Sequence, residues 1–353
     1  MLNSDKRPLL TFALFTYNQE KFIADAVQGA LSQSYSPLEI ILSDDCSSDR
    51  TLEIMQAMTS KYNGPNKVIV RQNERNLGLI GHINRVMELV QGELIVVAAG
   101  DDVSVPERTE NLYKKYIDAN GKAICIFSRR WKEIDDKGNS LWDKEFQSAG
   151  NSSFDLEYFS KTRHFVPGHS NSWHRSVFDV FGPIDTDVVS EDVVIPFRAS
   201  ILGQVLSMDE SLVLRRLHDG NLGGPRTVST FMGKVAWYKK RHLSLVKNRM
   251  GIAKSFLKDM EKARSLYPEK GKQFDKLSRY YNNYLKFNSL AFEYANAGVI
   301  NRLKIIRQAM IIKMPLTQFA LLFFGHYISV LLQLPPINWF YQRYIENRKS
   351  AGY

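Results

Sequence analysis

Three pairs of adjacent acids stand out along the chain: Asp44-Asp45, Asp101-Asp102 and Glu191-Asp192. The first two follow apolar runs. Glu39-Ile40-Ile41-Leu42 leads through Ser43 to Asp44-Asp45, and the run from Leu94 to Ala99 stops at Gly100-Asp101-Asp102. A short apolar run bounded by a turn predicts a buried strand. Open α/β sheets place their ligands at such strand ends. Carboxylates held there suit a hard cation such as Mg²⁺ or Mn²⁺. Two solvated acids in a turn are the plain alternative. Glu191-Asp192 follows Ser190 at the head of a predicted helix, Val193 to Leu202. Ser190 can cap it, and the helix dipole favours acids in the first turn without any chemistry being involved.

The elements that must hold these acids follow from periodicity. Leu9 to Phe15 is a first apolar run and ends at Thr16-Tyr17-Asn18. Glu20 to Gln33 has helical spacing, as do Thr51 to Tyr62, with Asp49 as its expected cap, and Leu79 to Val90. Val68-Ile69-Val70 supplies a strand between the last two, after which comes the turn Asn76-Leu77-Gly78. Strand and helix thus alternate over the first hundred residues. This pattern predicts an α/β fold with a mostly parallel sheet covered on both faces. Right-handed crossovers would bring Thr16–Asn18, Asp44-Asp45 and Asp101-Asp102 to one edge. A helix from Pro106 to Ala119 and a strand from Ala123 to Ser128 follow. Residues 129–165 read as an irregular, partly open excursion, and His169 to Trp173 as the approach to a helix ending near Gly182. Two short strands, Val205 to Met208 and Leu212 to Leu214, lead to Arg215-Arg216-Leu217-His218-Asp219-Gly220-Asn221.

The 353 residues, 44% hydrophobic and 24% charged, are ordinary globular material with room for about two domains. Cys46 and Cys125 form no metal or disulfide pattern, which fits a reducing compartment. The N-terminal residues show no signal-peptide core. The net charge of +10 is unevenly spread. Residues 226–353 hold 23 Lys and Arg against 6 Asp and Glu, an excess of +17, whereas residues 1–225 are at −7. That shift predicts a domain at 1–225 and a basic, mainly helical region at 226–353, with breaks at Pro268 and near Asn296-Ala297-Gly298. Residues 314–342 lack any charged side chain, and Leu316 to Leu334 is 19 residues long. Association in the plane of a membrane, a buried or homo-oligomer contact, and a true span all remain open readings of it. Trp339, Phe340, Tyr341 and Tyr344 beside Arg343, Arg348 and Lys349 resemble an interfacial belt.

Four motifs in order carry a family resemblance. They are Phe15-Thr16-Tyr17-Asn18, Asp44-Asp45-Cys46-Ser47-Ser48-Asp49-Arg50-Thr51, Gly100-Asp101-Asp102 and Glu191-Asp192. Together they resemble the inverting family 2 glycosyltransferases of bacterial surface-polysaccharide type, over about residues 8–225. The resemblance implies a GT-A fold and a nucleotide-sugar donor. It implies that Thr16, Tyr17, Asn18, Asp44, Asp45, Asn76 and Gly78 line the nucleotide, with Asp45 on the base. Asp102 matches the second acid of the metal-binding element, with Asp101 beside it, and Mn²⁺ or Mg²⁺ on the donor diphosphate is implied. Asp192 matches the catalytic base, with Glu191 its neighbour. Arg216, His218 and Asn221 match a late pattern near the diphosphate, with His218 as a further metal ligand. Gly100 departs from the pattern, since many members have an acid there.

The implied chemistry needs one base to deprotonate an acceptor hydroxyl, which Asp192 can be, and positive charge to stabilise the leaving diphosphate. An acidic Asp45 suits an N–H donor such as that of uracil or thymine, so a UDP-sugar is favoured and a dTDP-sugar next. The expected acceptor is a glycan or lipid-linked saccharide, and the expected location is cytoplasmic, peripheral at the inner face of the plasma membrane through the basic tail. A glycosyltransferase-like scaffold acting through the helical tail is the alternative. A nucleotidyltransferase would show a glycine-rich phosphate loop, which Thr16-Tyr17-Asn18-Gln19 is not. No nucleic-acid module is present. His82, His164 and His326 read as packing or surface residues.

Overall fold

The computed structural model describes residues 7–145, 153–160, 166–218, 220, 231–297 and 299–311. The chain divides into two compact units, Met1–Gly224 with Glu261–Tyr267 and Pro225–Met260 with Pro268–Tyr353.

The first unit begins with the alternation that the periodicity predicts. Strand β1 (Leu10–Thr16), helix α1 (Ile23–Leu31), β2 (Leu38–Asp44), α2 (Thr51–Thr59), β3 (Lys67–Gln72), α3 (Gly78–Met87) and β4 (Leu94–Ala99) follow one another. These four strands pair in parallel in the order β3-β2-β1-β4. The chain winds outward from β1 to β3 and then returns to the other side of β1, which makes the end of β1 and β4 a topological switch point. The register sets Thr16 opposite Asp44, Asp44 opposite Gln72, and Phe15 opposite Ala99. Burial on both faces explains the unbroken apolar runs. Leu10, Phe12 and Leu14 pack with Ile23, Ala26, Val27 and Ala30 of α1 and Met55 of α2. On the opposite face the Phe15 ring meets His82 of α3 edge-on at 5.1 Å between centroids.

Beyond β4 come β5 (Val103–Ser104), α4 (Arg108–Asp118), β6 (Ala123–Ser128), β7 (Arg130–Ile134), β8 (Ser140–Glu145), β9 (Ser153–Phe154) and α5 (Leu156–Ser160). A 3₁₀ turn, Gly168–Ser170, precedes β10 (Asn171–His174), α6 (Ser176–Phe181), α7 (Glu191–Leu202), β11 (Gln204–Met208) and β12 (Val213–Arg216). The main sheet continues from β4 as β10-β6-β11-β9, with β10 antiparallel to both neighbours. A second sheet has the order β5-β12-β7-β8.

Three sequence expectations are corrected here. Residues 130–145, expected to be irregular, form the hairpin β7–β8, whose outer strand is exposed along its whole length. With both faces of β8 wet, its mixture of charged and apolar residues carried no readable alternation. Asn171–His174, expected to lead straight into a helix, is a strand in the middle of the main sheet, too short to show a period. The cap at Asp49 is also displaced. Arg50 directly precedes α2, although the Asp49 carboxylate does accept the Thr51 N–H at 3.0 Å.

The second unit is helical. It draws on α8 (Phe231–Arg264), α9 (Gly271–Asn296) and α10 (Val299–Ile311), with the breaks at Pro268 and Ala297 where the sequence placed them. Its core joins Val246, Leu290, Ala291, Tyr294, Ile305 and Ala309. Among the described residues no helix is long and apolar enough to cross a membrane. The apolar stretch 314–342 lies outside the described residues.

Candidate active site

The first group of predicted residues sits where β1, β2 and β3 end. The segment after β2 stitches the loop after β1. Asn18 N–H donates to Ser47 Oγ at 2.8 Å, Gln19 N–H to Thr51 Oγ1 at 2.8 Å, and Glu20 N–H to the Asp49 carboxylate at 3.0 Å. Asn18, in the left-handed region at φ 52°, accepts the Ser48 N–H in return. Tyr17 is left projecting, 46% exposed. Asp44 and Asp45 are both buried. Asp44 accepts the Ser47 N–H at 2.9 Å and the Gln72 amide at 2.7 Å. Asp45 accepts three bonds, from the Asn73 amide at 2.7 Å and from the backbone N–H groups of Leu77 at 2.8 Å and Gly78 at 2.9 Å. Gly78 takes φ 70°, a conformation suited to glycine, and this turns its N–H toward the carboxylate. Asn76 braces the same N–H through its side-chain oxygen.

The second group lies past β4. Asp102 is buried and its Oδ1 accepts the Arg216 backbone N–H at 2.9 Å. Burial and the neighbouring Asp101 carboxylate push the Asp102 carboxyl up to about 7. Asp101 Oδ2 and His218 Nε2 are 3.0 Å apart. The fold thus joins all four residues across more than a hundred positions of sequence.

Arg216, however, does not present its guanidinium outward. At 1% exposure it pairs with Asp25 at 2.7 Å and donates to the carbonyls of Asp101, Asp135 and Asp136. Its charge lies over the Phe22 ring, 5.0 Å from the centroid. The expectation that this side chain faces a diphosphate is therefore replaced by that of a buried clasp joining β12 to the acid turn. Asn221 lies outside the described residues.

Gly100 also finds its reason. A Cβ at this position would lie 2.4 Å from Thr16 Oγ1 and 2.6 Å from Thr16 Cβ, so β1 occupies the space in which an acid would have to stand.

The donor set for a divalent ion is small. Among the described residues no three His, Cys, Asp or Glu side chains converge as a metal cage. The Asp101 and His218 pair, with Asp102 beside it, offers carboxylate oxygens and one imidazole nitrogen. That set suits Mn²⁺ better than Ca²⁺, and fits an ion whose remaining ligands come from a bound diphosphate.

Glu191 and Asp192 open α7, where Ser190 holds the cap position. Val166 N–H donates to the Asp192 carbonyl at 3.0 Å, and Gly168 backs so closely on Glu191 that a Cβ would lie 2.9 Å from its Oε1. The next residue, His169, shares the buried Arg108 guanidinium with β4: Arg108 Nη2 donates to Val97 O at 2.7 Å and to His169 O at 3.1 Å. The turn Gly168–Ser170 thereby links the acid pair to the switch-point strand. Burial lifts both carboxyls above the usual range, Glu191 further because it also faces the Asp192 charge. The pair titrates as a unit between about 6 and about 8.

The sequence did not reveal Arg108, Arg71 or Asn73. The last two stand in Arg71-Gln72-Asn73 as β3 runs out, so polar residues at a strand end were a usable signal. Arg108 sits among helix-forming residues and carried none.

Known proteins resemble this chain in sequence and in fold. Residues 11–182 match the family model described as Glycosyl transferase family 2. EpsE of Bacillus subtilis (strain 168), which carries a glycosyltransferase name, is 36% identical over 103 residues, 29% of this chain and 36% of its own length. The succinoglycan biosynthesis protein ExoO of Rhizobium meliloti (strain 1021) is 30% identical over 122 residues, 35% of this chain and 33% of its own. The chain thus spans about a third of the length of these two curated relatives. In fold it is similar to the mannosyltransferase PcManGT from Pyrobaculum calidifontis in complex with GDP-Man and Mn²⁺. That structure is 16% identical, with a TM-score of 0.50 covering 93% of this chain and 87% of the other. Residues 11–182 thus match the family 2 glycosyltransferases, and the chain has the GT-A fold.

Proposed function

We propose that the protein transfers a sugar, with inversion, from a nucleoside-diphosphate donor to a hydroxyl of a glycan or lipid-linked saccharide. The observation that carries this reading is the half-buried Glu191-Asp192 pair, tied through Gly168–Ser170 and Arg108 to the same strand that ends in Asp101-Asp102. Asp192 takes the proton from the acceptor hydroxyl while its oxygen bonds to the anomeric carbon. The bond from that carbon to the diphosphate breaks on the opposite face. A carboxylate lifted by burial is a stronger base than an ordinary aspartate and is still largely ionised at neutral pH. One catalytic carboxylate suffices, whereas a retaining glycosidase would need a second as nucleophile.

Thr16, Tyr17 and Asn18 line the nucleotide in this reading, and Asp45 accepts from the base with its remaining lone pair. An N–H in the base plane favours UDP, then dTDP. Asp101 and His218, with Asp102 beside them, would hold Mn²⁺ or Mg²⁺ together with the donor's own diphosphate, and the ion when bound neutralises charge developing on that group. The name of ExoO supports a polysaccharide or its lipid-linked precursor as acceptor. The excess of +17 over residues 226–353 supports a seat on an anionic membrane surface at the cytoplasmic face.

The test is a binding and hydrolysis screen with UDP-, GDP- and dTDP-sugars, with and without Mn²⁺, beside Asp192→Asn. One donor should bind in a metal-dependent way and turn over slowly, with turnover lost in the variant. Absence of binding to all three donors would count against the reading and in favour of a scaffold.

A further inference from the structure

Behind Asp45 lies a chain of polar side chains gathered where β2 and β3 end. Arg71 Nη2 donates to the Asn73 side-chain oxygen. The Asn73 amide N–H₂ then faces Asp45 Oδ1 at 2.7 Å, and Asp45 holds the backbone N–H groups of Leu77 and Gly78. Arg71 has a second anchor. Its Nη1 donates to Ser43 Oγ at 2.6 Å, and Ser43 Oγ lies 2.6 Å from His82 Nε2. Asn73, Asp45, Ser43 and His82 are all buried. Asn73 is fixed from both sides, because its oxygen meets a guanidinium and its nitrogen a carboxylate. An amide satisfies both neighbours in this orientation; a carboxylate or a methyl group does not.

We infer that Arg71, Asn73 and His82 form a positioning relay that sets nucleotide affinity through Asp45 and the Asn76–Gly78 turn. The inference rests on the proposed function, since it takes that edge as the base site. Asp45 has two oxygens and three donors already in place. Its plane, and hence the direction of the lone pair left for a base N–H, follows from those donors. Two of the three are backbone groups of the turn. The third is Asn73, whose own orientation comes from Arg71. The relay residues act through Asp45 and touch no substrate themselves.

The experiment measures Kd for UDP, GDP and dTDP, and separately for inorganic pyrophosphate with Mn²⁺, in the wild-type full chain and in Asn73→Ala. A buried acceptor that loses one partner weakens what it orients by about tenfold or more. The relay therefore predicts that Kd for whichever nucleotide binds rises about tenfold, while Kd for pyrophosphate is unchanged. In turnover, KM for the donor rises and kcat stays within about twofold. His82→Gln, which can still bond Ser43, should keep the wild-type Kd, and His82→Leu should not. This pair carries the test if Asn73→Ala does not fold. Nucleotide Kd values equal to wild type in Asn73→Ala or His82→Leu overturn the relay, whatever happens to Tm. An equal loss for nucleotide and pyrophosphate also overturns it, since that marks a general loosening. If the wild type binds no nucleotide at all, the proposed function fails and the relay with it; wild-type binding without a variant effect sinks the relay alone.

Discussion

The edge at Asp45 and the pair at Glu191-Asp192 use the same functional group in opposite ways. Asp45 is surrounded by N–H donors, three of which it accepts within 2.9 Å. Glu191 and Asp192 sit side by side in a partly buried place, where both lose solvent and Glu191 also faces the Asp192 charge. A carboxylate ringed by donors is an orienting device. A carboxylate crowded by burial and like charge holds its proton more tightly and can exchange it at neutral pH. Hydrogen-bond partners, rather than residue type, separate the edge proposed to bind from the pair proposed to react.

The largest effect expected from breaking this contrast is at the reacting edge. Asp192→Asn removes the base and keeps the shape. Transfer should fall by about 10²–10⁴-fold, with nucleotide Kd within about twofold of wild type, as read by steady-state assay and calorimetry. An equal loss of binding would mean that Asp192 belongs to the donor site.

At the binding edge the same change should do the reverse. Asp45→Asn points an amide N–H₂ at donors that need an acceptor, a cost of about 1–3 kcal/mol. Nucleotide affinity should drop about tenfold or more, whereas the rate at saturating donor changes less. Unchanged affinity in a folded Asp45→Asn would erase the distinction.

A third change tests why the acid turn begins with glycine. Gly100→Ala drives a methyl into Thr16, and should destabilise by about 1–3 kcal/mol in denaturant titration. Gly100→Asp should lose at least as much stability and gain no tighter Mn²⁺ binding.

The smallest effect is a pair of opposed pH slopes. The Glu191-Asp192 pair has its folded pKa values raised from the ordinary 4.5 and 3.8 to between about 6 and about 8. Its contribution to stability is therefore fully present below about pH 4 and is lost as pH rises through 6 to 8. Over that window Tm should fall slightly while the transfer rate rises as the base ionises. Glu191→Gln should flatten the stability slope. A Tm rising through the same window in wild type but not in Glu191→Gln would reverse the sign and remove the pair from the account.

The sequence by itself determined the parallel half of the fold and the location of its acids. Runs such as Leu10–Thr16 and Leu94–Ala99 are mostly apolar because both faces of the sheet are covered, and that signal is local. The adjacent acids after β2 and β4 were legible for the same reason, since chemistry at a sheet edge must begin where an apolar run stops. The antiparallel insertion of β10 was not legible, because four residues carry no period. Nor was the fate of Arg216. As a residue type it suggests an outward phosphate contact, but its guanidinium is consumed by Asp25 and three carbonyls contributed by distant segments. The glycine at position 100 looks like a defect in a motif until Thr16 is seen in the same space. Asp45 and Asp192 are the same letter in the chain. Only the tertiary structure, by supplying N–H donors to one and withdrawing solvent from the other, made one an orienting acceptor and the other a candidate base.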